Sequence, residues 1–320
     1  GNTVFLADKN SGLQLIDVSN GSMPSLIGSY NISGNAHAVS LSPDGNTAYL
    51  ADANSGLQII DLVDPAANGT ASISISPSHI GSVDTPDEAL GVVLSADGNT
   101  AFVADGESGL QIFDVTNPVN PTFKSAFNTP GVANAVTLSA DGDTAFVADW
   151  SSGLQIIDVS IPVSPTLKAT LGTSGEAKDV VLSADGNTAF IANQTGGLKI
   201  VDVSTLSNPT LKGSFSTSSE VRDVTLSPDG QTAYLADGFD GLRIINVSDL
   251  TSPILLGTLK TADFAHGVAL SADGNTAYIA DNDSGMQIID VSNPSSPSLI
   301  AQINTPGHAY SISLSADGNT

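Results

Sequence analysis

One turn motif recurs along the chain at fixed spacing, and this periodicity limits the possible folds more than any other feature. D-G-x-T stands at Asp44, Asp97, Asp141, Asp185, Asp229, Asp273 and Asp317, and Gly1-Asn2-Thr3 is the same turn without its Asp. Successive turn glycines are 44 residues apart, except between Gly45 and Gly98, where the interval is 53. Residues 1–320 therefore read as one domain of seven 44-residue repeats. A nine-residue insertion near 66–74, rich in Gly, Thr, Ala and Ser, lies between the third and fourth strands of its repeat.

Each repeat predicts four short strands. The turn is followed by an alternating run such as Thr47 to Asp52, then by Gly56 to Asp61, both β-rich and bounded by turn residues. A proline-containing segment such as Val291 to Pro297 cannot join a central ladder, and a further strand such as Ser298 to Ile303 follows it. The run ending in L-S-A-D or L-S-P-D supplies the innermost strand. No helical periodicity appears, and four strands every 44 residues is the pattern of propeller blades. The predicted fold is all-β, a seven-bladed β-propeller with four antiparallel strands per blade. Its ring closes when the C-terminal strand, Tyr310 to Ser315, completes the first blade beside Thr3 to Asp8. The sequence begins inside a D-G-N-T turn and ends directly after another, as a mature or excised piece of something longer would.

The blocks Gly12 to Val18, Gly56 to Leu62 and Gly285 to Val291, with the Ser-Asn-Pro that follows the last, resemble the LVIVD-type propeller repeats of bacterial and archaeal surface proteins. The resemblance covers the whole chain. It implies an exported, extracellular or cell-surface module and says almost nothing about activity. Composition agrees with a folded protein of this kind, with 40% hydrophobic residues and a formal net charge of -24 from 9 Lys+Arg and 33 Asp+Glu. That balance argues against nucleic-acid binding. No apolar run is long enough for membrane insertion, and the absence of Cys removes thiolate chemistry.

Residues that recur in every repeat are read as structural. Phe5, Tyr49, Phe102, Phe146, Phe190, Tyr234 and Tyr278 fill one slot of the second strand and are expected to pack between blades. Asp ends most second and third strands, but Asn193 and Asn246 take single places in those series, so the slots require hydrogen bonding and not charge. The loops at Asp52 to Gly56 and Asp281 to Gly285 partly match a calcium-binding loop but lack its fifth-position acid and bidentate Glu.

Subtracting the repeat leaves a variable set just before the inner strand, at the face where the second and third strands are also joined. One slot reads His37, Leu90, Asn134, Lys178, Arg222, His266, Tyr310, and another reads Asn35, Glu88, Val132, Glu176, Glu220, Phe264, His308. Trp150 and Phe239 lie on the same face. Two readings compete. In the first, Trp150, Lys178, Arg222, Phe239, Phe264, Tyr310, Glu176 and Glu220 form an axial surface that binds a protein, peptide or glycan as an adhesion or scaffolding module. In the second, His37, His266 and His308 hold a transition metal in a metal-dependent enzyme. Strand alternation places the first slot on the same side as Val39 and Leu41, which would turn its side chains between blades and away from the axis.

Overall fold

The computed structural model describes residues 2–63 and 75–315; the insertion near 66–74 lies outside them. Twenty-eight strands form seven four-stranded antiparallel sheets arranged as the blades of a propeller. Blade 1 combines the strands Thr3–Asp8, Gly12–Asp17 and Ser25–Tyr30 with the last strand, Ala309–Leu314. The closing pair runs in register from Val4 opposite Leu314 to Asp8 opposite Ala309. Each remaining blade is continuous in sequence, its inner strand coming first.

The turns behave as their residues dictate. Gly45 has a φ of 73°, the left-handed conformation that glycine adopts without steric cost. Ser42 donates its hydroxyl to Asp44, which in turn accepts the Asn46 amide, and the Ser42 hydroxyl receives the Thr47 amide. The same arrangement recurs at Ser139 and Asp141 and at Ser271 and Asp273. The outer-strand lysines also reach back into their own blade. Lys124, Lys168 and Lys212 pair with Asp114, Asp158 and Asp202, and the last two carboxyls are held down at about 2, chiefly by the hydroxyls of Ser160 and Ser204.

The core consists of seven clusters, each shared by adjacent blades. Tyr49 and Ile59 of blade 2 pack with Ala101, Val103 and Phe113 of blade 3, and Phe146 and Ile156 of blade 4 pack with Ala189, Ile191 and Val201 of blade 5. Each buried aliphatic or aromatic side chain contributes on the order of 1.5–3 kcal/mol, and much of that is lost if the next blade is absent.

The buried Asp at the end of each second strand fastens the crossover between blades. Asp149 accepts the Thr129 hydroxyl at 2.7 Å and the Gly131 amide at 2.9 Å. Asn193 accepts the equivalent Thr173 hydroxyl at 2.6 Å, so the slot uses the acceptor and not the charge. Burial raises the Asp149 carboxyl above its ordinary value, only partly offset by the bonds it accepts. The folded state therefore holds that proton more tightly, and the ionised carboxylate subtracts stability as pH rises through the folded value. Asp149→Asn is expected to be at least as stable as the parent above that value, with the difference vanishing below the ordinary Asp range. Asp149→Ala orphans two donors and should lose about 2–4 kcal/mol. Urea unfolding of both variants across pH checks this.

Candidate functional site

Four of the seven inner strands begin with a β-bulge. Ala36 lies opposite Asp52 and Ala38 opposite Ala51, so His37 is the extra residue. The same shift occurs around Leu90, Arg222 and Tyr310. In blade 5 the amide of Lys178 bonds to Ala192 O, although Asp179 is the residue paired with Ala192. A bulge puts two residues against one and re-aims the side chain. Consequently the first variable slot turns into the axis. Strict alternation would turn these side chains between blades, but the ladder is interrupted at the slot and all seven face the axis.

The residue that precedes the slot bridges to the preceding blade in most repeats. Ala36, Ala133, Ala177, Ala265 and Ala309 each form an isolated bridge to the loop of the preceding blade, for example Ala177 to Trp150 with N–H···O distances of 3.0 and 3.2 Å. Val221 makes the same bridge with Gln194. Trp150 adopts a φ of 43°, a left-handed value unusual for a bulky residue. Gly106 and Gly238 take the same slot in blades 3 and 6.

All seven residues of the first slot line one cavity of about 520 Å³ at the mouth of the axis. Glu88, Val132 and Trp150 complete its upper wall, and Asp179, Asp223 and Ser311 lie deeper. The latter three also border a lower chamber of about 390 Å³, so they mark the neck of the channel. One half of the mouth carries an aromatic chain. Phe239 meets Phe264 edge-on with centroids 4.8 Å apart, Phe264 tilts against His266 at 4.7 Å, His266 stacks on Tyr310 at 4.1 Å, and Tyr310 meets His37 edge-on at 5.0 Å. Cations cap these rings: Lys9 lies over Tyr310, Arg222 over Phe264, and Lys178 over Trp150 at 4.3 Å.

The histidines do not converge as a metal triad. The Tyr310 ring contacts both His37 and His266, whereas His308 sits partly exposed and pairs with Asp283. No group of three or more His, Cys, Asp or Glu among the described residues is placed to hold a metal ion. The calcium-like loop also disperses its oxygens. Asp281 accepts the amides of Ala262 and Asp263 at 3.0 Å each, while Asp283 faces His308.

Burial lowers the His37 pKa to about 4, with help from the charge of Lys9. Burial, then Arg222, His37 and Lys9, lowers His266 to about 3. Both rings are neutral near pH 7. Around the mouth Arg222 pairs with Glu220, which also accepts from Gln194 at 3.1 Å, and Glu176 acts on Lys178 only through its field. At the neck Asp179 and Asp223 hydrogen-bond to each other. Burial raises both carboxyls, and the charge of Asp179 raises Asp223 further. Asp223 also accepts the Val268 amide of blade 7 at 2.8 Å.

Lys9 and the Asp pair complete the site. Their signal is the same break in repetition: Lys9 shares its slot with Trp150, and Asp179 and Asp223 stand where other blades have Ala38, Gly91, Ala135, Gly267 and Ser311.

A family model described as the LVIVD repeat matches seven successive segments: residues 1–32, 33–85, 92–129, 130–173, 174–217, 220–261 and 265–305. No curated protein matches the sequence. Among solved structures, a Lactobacillus plantarum protein superposes with a TM-score of 0.82 at 14% identity, over 97% of this chain and 98% of its own. A functionally unknown protein from Desulfotomaculum acetoxidans gives 0.80 at 13%, over 98% of both chains. A candidate 6-phosphogluconolactonase from Bacteroides fragilis gives 0.79 at 13%, over 97% of both. At these identities the likeness carries the fold alone.

The neutral rings supply a test. Between the ordinary imidazole value and the folded ones, the unfolded chain binds more protons at His37 and His266, so these groups subtract stability as pH falls through that window. In a proton NMR titration their ring signals should stay flat through 6.5 and move only near about 4 and about 3. Midpoints close to 6.5 would contradict their burial in the cavity wall.

Proposed function

The chain belongs to the LVIVD-repeat family, and from that premise we propose that it is an exported, surface-associated propeller that binds a ligand in its axial pocket. One observation carries this reading. Seven near-identical repeats deliver seven side chains of six different kinds to a single cavity, while the positions that pack the blades remain almost constant. Stability alone asks for no such variety at the axis. The cavity falls within the ordinary size range of small-ligand sites, and its rim of aromatic rings and cations suits the end group of a glycan or peptide. Cell-surface placement is supported by the family resemblance, and an adhesion or scaffolding role by the variable axial face.

Trp150 separates binding from folding. Its left-handed backbone costs on the order of 1 kcal/mol, and glycine fills the slot in two other blades. Trp150→Gly should therefore keep thermal stability within about 1 kcal/mol of the parent while weakening capture on glycan and peptide arrays by tenfold or more. Arg222→Ala should weaken the same contacts. Equal capture by parent and variants would remove the axial face as the binding surface. Protease shaving of intact cells tests the location: loss of the protein under shaving is expected, and full protection would overturn surface placement.

A further inference from the structure

The two cations on neighbouring inner strands, Lys178 and Arg222, specify the ligand further, in a deduction that rests on the axial pocket being the binding site. The protein has only 9 Lys+Arg, and the fold sets two of them side by side in one cavity. Burial lowers the Lys178 ammonium, and the charge of Arg222 lowers it further. Like charges brought together out of water cost free energy unless an anion offsets them.

The neighbours do not satisfy this pair. Lys178 makes no ion pair among the described residues; it rests on the Trp150 ring and donates one long hydrogen bond, 3.5 Å, to the Asn134 side-chain oxygen. Arg222 gives an Nη2 donor to Glu220, but its Nε is buried without a hydrogen-bond partner. A buried donor left unpaired is the structural trace of a missing acceptor. Next around the mouth, the neutral His266 and the Tyr310 hydroxyl add hydrogen-bonding capacity without charge. The opposite and lower walls are rich in acceptors, with Glu88, Asn134, Asp179 and Ser311 facing the same space. Acceptors in that number suit hydroxyl groups.

We propose that the axial cavity takes a sugar acid, a polyhydroxylated ring bearing one carboxylate, with the carboxylate between Lys178 and Arg222 and the hydroxyls directed to the acidic walls. About 520 Å³ accommodates one or two sugar rings. The nearby Glu220 and the Asp179–Asp223 pair offset part of the positive field, so a monoanion is favoured over a phosphate dianion. The carboxylate is the feature that a neutral sugar lacks, and a site built around a buried polar donor discriminates strongly against a ligand that leaves it unpaired.

Trp150, the single tryptophan in the chain, reports on Lys178 directly. Titrations with glucuronate, glucose and inorganic phosphate, followed by Trp150 fluorescence and by the Arg222 Nε–H NMR signal, test the assignment. Glucuronate should saturate both signals, with glucose and phosphate at least tenfold weaker. Lys178→Met and Arg222→Met should each weaken glucuronate tenfold or more without lowering Tm. Glucose binding as tightly as glucuronate, or unchanged glucuronate affinity in both Met variants, overturns the carboxylate assignment and leaves the pocket standing. Tighter binding of phosphate overturns the sugar acid. Silence of both signals toward all three compounds overturns the sugar-acid assignment, whereas the pocket reading falls only if parent and variants are captured equally on the arrays.

Discussion

Everything in this molecule depends on the contact between neighbouring sheets. A single four-stranded blade has two faces and cannot cover either one by itself. Phe5, Phe102, Phe146 and Phe190 are buried only because each abuts the next blade. The ring is the arrangement in which every blade has two such neighbours and no end blade is left exposed. Polar contacts reinforce it: the buried Asp or Asn of each second strand fixes the incoming crossover, and the loop-to-strand bridges stitch one blade to the next. Stiffness at the axis follows from these contacts, because each inner strand is held by its own blade and by the one before.

The fold was legible from the sequence because it is written seven times. A period of 44 residues, turn glycines and a proline segment locate each strand without any calculation of packing, and the Asn193 substitution identifies a hydrogen-bonding slot that the Thr173 contact confirms. The set of residues at the mouth was legible for the opposite reason, as departures from the repeat. What escaped was direction. A bulge is a property of backbone pairing and leaves only a faint trace in sequence, so alternation alone aimed His37, Lys178 and Arg222 between the blades. The separation of the histidines was equally hidden. Tyr310 belongs to the same slot as His37 and His266, and only the circular order of the blades places its ring between them.

The electrostatics divide along the same line as the sequence. Most Asp residues occupy repeated turns and strand ends, where hydroxyls and amides stabilise exposed carboxylates and burial destabilises the enclosed ones. These charges are spread evenly around the ring and define no site. At the axis the pattern differs: one ammonium, one guanidinium, two neutral imidazoles and a buried acid pair stand within one cavity. A strongly acidic protein thereby gathers two of its nine basic residues where seven inner strands meet. The arrangement needs no departure from the fold, only different side chains on identical scaffolding, so the mouth can change without disturbing the blades.

The pairing of Thr3–Asp8 with Ala309–Leu314 also sets an order of events. On a ribosome, the earliest strand emerges with one edge unpaired and stays so until some three hundred further residues have followed. Through that interval six inner strands of closely similar sequence pass within reach, each able to offer the same backbone donors and acceptors. The correct partner is the last to appear. Faithful closure therefore rests on the preceding blades forming promptly and occupying their own inner strands, so that when synthesis reaches the final segment only one vacancy and one candidate remain.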